Sequence, residues 1–272
     1  MQNIFIPLGL AVALLLSSNP ASAQVLKVDG STGAMPLIAA LAKAYEGRTT
    51  GIKIEIGKGL GTKARIDALN VGSIDIAVAS HGLKADDLLK QGMTVDEIAV
   101  TPVVFGVNSS VPLKSLSQAQ ICAIYSGGVT NWKEISGPDL AIAARTRPNG
   151  EVDAEVALDG IDCLKALKMP ETVKVMPGGG DMAKELAATS GAIGMTTTTV
   201  AEQSSEKVKA VALDDVAPTE ANVKAGTYRL VRQVFLVAKG DAVPAARAFL
   251  EFVKSAEGAA VIKANGAIAK SR

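Results

Sequence analysis

Histidine occurs once in the 272 residues and cysteine twice, which excludes a metal centre built from the usual His and Cys ligands. Aromatic residues make up only 3% of the chain, too few for the stacking platforms that single-stranded nucleic acids require. An excess of one charge is missing too. Twenty-eight basic residues face 27 acidic ones, and the net charge is +1. Neither the basic footprint of a nucleic-acid binder nor a basic run suited to an anionic membrane is present. What remains is ordinary globular material, 48% hydrophobic and 20% charged.

Part of that hydrophobicity sits at the N-terminus. Residues 1–23 carry no charged side chain, include the apolar run 4–16, and end on Pro20-Ala21-Ser22-Ala23. This pattern predicts a secretory signal peptide cleaved before Gln24, although the n-region lacks the usual Lys or Arg. The apolar core is too short for a membrane-spanning helix, the alternative reading. No lipobox cysteine lies near the cleavage site, so a soluble exported protein is expected. Export places Cys122 and Cys163 in an oxidising compartment, where one internal disulfide is possible. Two buried thiols too far apart to bridge are the alternative.

Beyond the leader the chain alternates strand and helix. Ile52, Ile54 and Ile56 alternate with Lys53 and Glu55, and Ile74, Ile76 and Val78 alternate with Asp75 and Ala77. Pro36 opens a helix carrying Leu37, Leu41 and Tyr45, and 62–70 reads as a helix with Ile66 and Leu69 inward. The same grammar returns later, with strands at 140–144 and 192–195 and helices at 152–167 and after Gly178-Gly179-Gly180. An α/β fold with a largely parallel sheet follows. The apolar segments 98–107 and 230–238 are long enough to run from one lobe into another, which would make the second lobe an insertion in the first.

Three glycine-bearing turns sit between a strand and a helix: Gly30-Ser31-Thr32-Gly33, Gly57 to Thr62 through Gly61, and Gly178-Gly179-Gly180. Helix starts offer free N–H groups and a positive dipole end, glycine lets a ligand approach the backbone, and Ser or Thr adds hydroxyls. Each turn alone is also ordinary loop punctuation. Ser80 and the lone His81 follow a strand directly, where α/β ligand sites lie, although a solvated or helix-capping histidine fits as well. Arg145 and Arg147 follow the strand at 140–144, and a guanidinium there can hold an oxyanion bidentately. Glu151 and Asp153 come next. They would repel a dianion unless one accepts its proton, or they are simply first-turn helix carboxylates.

These residues carry a resemblance. Gly30-Ser31-Thr32 with Pro36, the stretch Ile124-Tyr125-Ser126-Gly127-Gly128-Val129-Thr130-Asn131-Trp132-Lys133-Glu134-Ile135, and Gly191-Ala192-Ile193-Gly194 resemble signatures of the phosphate-binding proteins of phosphate ABC importers. Tyr228-Arg229-Leu230-Val231-Arg232 followed by Phe235-Leu236-Val237 is similar to their second crossover. The resemblance implies a type II periplasmic binding fold, two α/β lobes joined by a hinge of two crossover strands. Such lobes close over a dehydrated oxyanion held by backbone N–H groups, hydroxyls and one arginine. The chain departs from that pattern in three places. The family's R-x-x-G-S-G-T reads Arg147-Pro148-Asn149-Gly150-Glu151-Val152-Asp153, its usual acidic residue after Ala-Ser is His81, and its Gly-Ser-Gly is Gly59-Leu60-Gly61.

The expected organisation is a signal peptide at 1–23, a first lobe of 24–104 with 234–272, and a second lobe of 105–233. The resemblance implies a monomeric periplasmic solute-binding protein, without cofactor or chemical step, that captures a small oxyanion, phosphate foremost. Its partner would be a membrane ABC permease or a sensor. The expected ligand residues are Ser31, Thr32, Gly33, Gly61, Thr62, Ser80, His81, Arg147, Asn149, Gly150 and Glu151. The rival readings are a paralogue binding a cationic or organic ligand, a secreted phosphatase-like hydrolase, and a non-binding structural or adhesion role.

Overall fold

The computed structural model describes residues 23–80 and 82–270, with Thr62 described through its backbone alone. The expected signal peptide and His81 therefore lie outside the described residues, apart from Ala23. The chain begins β1 (Gln24–Gly30), α1 (Met35–Arg48), β2 (Ile52–Ile56), α2 (Thr62–Asn70), β3 (Ile76–Ser80) and α3 (Ala85–Lys90). The long β4 (Met93–Asn108) leads to β5 (Ser115–Leu116), α4 (Gln118–Tyr125), β6 (Ala143–Thr146), α5 (Val152–Gly160), α6 (Asp162–Lys165), β7 (Lys174–Val175) and α7 (Gly179–Ala188). Then come β8 (Ala192–Thr197), α8 (Thr198–Gln203), β9 (Val208–Ala210), β10 (Ala212–Leu213) and α9 (Glu220–Lys224). The chain returns along β11 (Val231–Lys239) and ends with α10 (Pro244–Val253), α11 (Ala256–Ala264) and β12 (Ile268–Ala269).

The two largest buried apolar clusters share one sheet. Its order is β2-β1-β3-β11-β4-β8-β6-β7, with β12 and β9 also on β4. One core draws on both ends of the described chain, packing Leu26, Leu41 and Ile76 against Leu236, Phe249 and Phe252. The other gathers Val103, Val107, Ile121, Trp132, Ile193 and Leu230. On β4, Ile98 and Ala99 belong to the first core and Val103 onward to the second, while on β11 Val231 and Val234 divide the same way. The two apolar segments are thus the crossover strands of a two-lobed α/β protein.

Three expectations need correction. The sheet is mixed. Outer strands pair in parallel, but β11 is antiparallel to β3 and β4, and β4 is antiparallel to β8. A chain that leaves one lobe on β4 and returns on β11 must run these strands in opposite directions. The strand expected at 140–144 runs instead over Ala143–Thr146, with Ala141 making only an isolated bridge to Asn131. The helix expected at 152–167 breaks at Ile161, whose backbone is extended (φ −126°, ψ 101°) and whose side chain is buried. Gly160 leaves room there for Leu230, which any Cβ would strike.

Polar side chains fix the second lobe around β6 and β8. Tyr125 Oη donates to the Arg145 carbonyl at 2.9 Å, and Trp132 Nε1 donates to the Gly191 carbonyl at 2.9 Å. Burial pushes the Tyr125 phenol far above its ordinary range, so it stays a protonated donor. Glu134 accepts the N–H groups of Thr130 and Asn131, and these bonds hold its carboxyl below the usual value. Cys122 on α4 and Cys163 on α6 form a disulfide across 6.2 Å between Cα atoms. It spans 41 residues. Reducing it, or replacing both cysteines with serine, should lower stability by about 4 kcal/mol in the chain-entropy picture. Urea unfolding with and without reductant measures this, and calorimetric ligand affinity should stay unchanged because neither sulfur touches the interlobe crevice.

Candidate functional site

β1 delivers the chain to the junction of the lobes. After Gly30 it passes through Ser31 into the single turn Thr32–Ala34 and then α1. Asp29 anchors this passage, its Oδ1 accepting the N–H groups of Gly30 (2.7 Å) and Gly59 (2.9 Å). The end of β1 and the glycine turn before α2 are thereby held together.

Two buried arginines reach this segment. Arg232, on β11, is 1% exposed. Its Nη1 donates to Asp153 Oδ1 at 2.5 Å, Nη2 to Ser31 Oγ at 2.7 Å and Nε to Ser80 Oγ at 3.1 Å. Ser80 gives its own proton to the Gln233 carbonyl at 2.6 Å, so it meets Arg232 as an acceptor. Asp153, in the first turn of α5, is also buried. Gly33 makes this approach possible, since a Cβ there would collide with Arg232 Nη1 and crowd the Asp153 carboxylate.

Arg147 lies just past β6 with its side chain fully enclosed. Nη1 donates to the Met176 carbonyl at 3.0 Å, while Nη2 donates to Glu151 Oε2 at 3.0 Å and Thr32 Oγ1 at 3.1 Å. The Thr32 hydroxyl donates to the same Glu151 oxygen at 2.8 Å. Arg147 Nε is buried without a hydrogen-bond partner among the described residues. The α7 start closes over the same turn. A side chain at Gly179 would press on the Thr32 carbonyl at 3.2 Å.

A cavity of about 150 Å³ remains between these groups, lined by Ser31, Thr32, Gly61, Arg65, Gly150, Glu151 and Glu155 among others. Arg65 is 6% exposed and donates Nη1 to the Val78 carbonyl at 2.9 Å. Burial first, and then the Arg232 charge, lower its pKa, while Glu151 acts in the opposite direction. Of the sequence-derived residues, Ser31, Thr32, Gly61, Gly150 and Glu151 line the cavity, and Arg147 and Gly33 touch its walls. Ser80 is one hydrogen bond removed, behind Arg232. Thr62 opens α2 next to Gly61. Asn149 is exposed and, together with Arg147, lines a separate cavity of about 650 Å³ with Leu158, Leu164 and Lys168.

Arg65 and Arg232 are residues at this junction that the sequence reading did not place here, whereas Asp153 was read beside Glu151. Two signals pointed to the arginines. Arg65 precedes the buried Leu69 by one helical turn, and Arg232 shares its strand face with buried Val234, so both face inward on periodicity alone. Arg145, by contrast, turns to Glu185 on α7, with Nη2 to Oε1 at 2.7 Å.

A family model described as a PBP superfamily domain matches residues 17–257. The phosphate-binding protein PstS of Bacillus subtilis (strain 168) is 27% identical over 239 residues, covering 85% of this chain and 75% of its own length. Protein SphX of Synechococcus elongatus is 27% identical over 92% of this chain and 79% of its own. A crystal structure from Clostridium perfringens, assigned as a phosphate ABC transporter substrate-binding protein and solved with bound phosphate, aligns with a TM-score of 0.74 at 26% identity. It covers 91% of this chain and 100% of that one.

Two tests follow from the ion pairs. Asp153→Ala strands a buried guanidinium and should cost about 3–5 kcal/mol, whereas Asp153→Ala with Arg232→Met should recover most of it. Chemical denaturation of the two variants separates these cases. The Arg145 hydrogen bond is the main reason the Glu185 carboxyl titrates below its ordinary 4.5. A depressed folded-state value means its contribution is present above pH 4.5 and lost as pH falls through the lowered value. Glu185→Gln should therefore reduce neutral-pH stability, by up to ~1 kcal/mol for this partly exposed pair, and flatten the acid side of a stability profile.

Proposed function

The chain belongs to the PBP superfamily, and on that premise we propose that it is a periplasmic solute-binding protein that captures inorganic phosphate for an ABC importer or sensor. The observation that carries this reading is a small cavity at the lobe junction lined by Ser31, Thr32, Gly61 and the buried Arg65, with Arg147 hydrogen-bonded to two of its wall residues, Thr32 and Glu151. Arg147 Nε is a buried donor with no hydrogen-bond partner among the described residues. The names of the PstS relatives, and the phosphate held by the Clostridium perfringens protein, favour phosphate among oxyanions. Residues 24–104 with 234–272 would form one lobe and 105–233 the other, hinging at β4 and β11.

In this reading Thr32, Gly61, Thr62 and His81 approach the ligand from the first lobe, with Ser31 and Ser80 holding Arg232 behind it. Arg147, Gly150 and Glu151 approach from the second. Glu151 accepts the remaining proton of hydrogen phosphate, which turns a repulsive carboxylate into an acceptor. The protein performs no chemical step and works as an exported monomer that hands its ligand to a permease or sensor. A paralogue for a cationic or organic ligand is the second reading, favoured by Glu151 and Glu155 in the cavity wall.

Isothermal titration with phosphate, sulfate and molybdate decides between them. Phosphate should bind and sulfate should not, since sulfate has no proton to give Glu151. Arg147→Ala should abolish binding, because the loss of a buried charged partner is worth roughly 3–5 kcal/mol. No heat with any of the three anions would remove the oxyanion reading. Hydrolysis of a chromogenic phosphate ester by the purified protein would remove the non-enzymatic one.

A further inference from the structure

Three carboxylates alternate through the start of α5, at Glu151, Asp153 and Glu155, and cations among the described residues meet two of them. Glu151 pairs with Arg147 at 3.0 Å and Asp153 with Arg232 at 2.5 Å. Glu155 is half-buried and enters no ion pair or side-chain hydrogen bond among the described residues. It stands one turn beyond Glu151, with its N–H on the Glu151 carbonyl at 3.0 Å, and both residues line the cavity of about 150 Å³ at the lobe junction. Like charges at this spacing repel. The α5 dipole favours a carboxylate anywhere in the first turn, so it gives no reason for this one to face a cavity.

The rest of the wall has the opposite character. Ser31 and Thr32 bring hydroxyls, the buried Arg65 brings a guanidinium, and Gly61 leads into α2, whose positive dipole end therefore lies at the cavity. One cavity thus has a side suited to an oxyanion and, on α5, a carboxylate in want of a cation. We propose that it takes a phosphate monoester or phosphonate carrying a protonated amine, with the oxyanion on the Arg65 side and the ammonium on Glu155. This rests on the proposed oxyanion reading and names the class of oxyanion. An alkylammonium keeps its proton at neutral pH, as a lysine side chain does. Such a ligand brings the countercharge that Glu155 lacks, whereas inorganic phosphate adds negative charge beside it. The cavity is smaller than the roughly 300 Å³ at which pockets for drug-sized ligands begin, so the tether between the two charges is short.

Calorimetric titration of the protein, freed of anions, compares each aminated ligand with its amine-free counterpart. The pairs are O-phosphoethanolamine with ethyl phosphate, and 2-aminoethylphosphonate with ethylphosphonate. At least one aminated ligand should bind ten-fold or more tightly than its counterpart, and the pair that shows this identifies the linkage. Equal affinities within both pairs would overturn the proposal, and this arm needs no substitution. Glu155→Gln should abolish the preference and bind inorganic phosphate several-fold more tightly than wild type, opposite changes that a merely structural role would not produce. Glu155→Lys should reverse the preference towards the amine-free ligand. A preference that survives in both variants would overturn the assignment to Glu155. Inorganic phosphate that binds while neither pair shows a preference removes this proposal and leaves the phosphate reading standing. A preferred aminated ligand without heat from inorganic phosphate does the reverse. No heat from any of the five compounds removes both.

Discussion

Everything at the lobe junction depends on meeting the charge of Arg232. A guanidinium enclosed on the strand that returns between the lobes has no access to water, and an uncompensated charge there would be prohibitive. Asp153 supplies the charge, while Ser31 and Ser80 accept the remaining N–H groups. That single requirement sets the phase of α5, brings the end of β1 under it, and leaves no room for a side chain at Gly33. The Arg147–Glu151 pair is a shallower copy of the same arrangement, four residues apart on one loop and completed by Thr32.

Such pairs are weak evidence for stability as such. Desolvation of both charges offsets most of their attraction, and a well-packed apolar replacement can serve as well. Their consequence is geometric. Arg232 reaches Ser31 and Ser80, and Arg147 and Glu151 reach Thr32, so the paired side chains tie the ends of β1 and β3 to the loop before α5. The mixed sheet adds to this constraint, because β4 and β11 pair with each other along most of their length. The lobes therefore share a continuous backbone ladder.

Much of the fold was legible in the sequence. Period-two apolar strands, the Pro36 helix start and the two long apolar segments correspond to β2, β3, α1 and the crossovers β4 and β11. Element ends and strand directions were less so. The helix after Gly150 ends at Gly160, where a Cβ would strike Leu230, seventy residues away, and no local pattern carries that contact. The crevice was half legible. Ser31, Thr32, Gly61, Gly150 and Glu151 stand together because strand ends and helix starts converge in this architecture. Arg65 and Arg232 were readable only by treating a charged residue on an inward face as a signal. Asp153, read as repelling a ligand or as a first-turn helix carboxylate, does stand in the first turn of α5 and is also the partner of Arg232. The choice turned on a tertiary contact.

The segment that carried the strongest family resemblance sits away from the crevice, and its position explains what it does for the site. Asn131 and Glu134 cap one turn, Trp132 is wholly buried with its indole N–H on Gly191, and Tyr125 holds the carbonyl of Arg145. Gly191 opens β8 and Arg145 lies on β6, which pairs with β8 in parallel. The motif thus fixes the strand that ends at Thr146 and leads into Arg147, and so helps aim Arg147 at Thr32. Residues with that duty preserve a scaffold whatever the crevice binds. The loop 147–153, which they position, is free to exchange hydroxyls for carboxylates while the backbone stays in place. A resemblance resting on the motif therefore informs the fold directly. What the crevice accepts has to be argued from Arg65, Arg147, Glu151, Asp153 and Arg232 themselves.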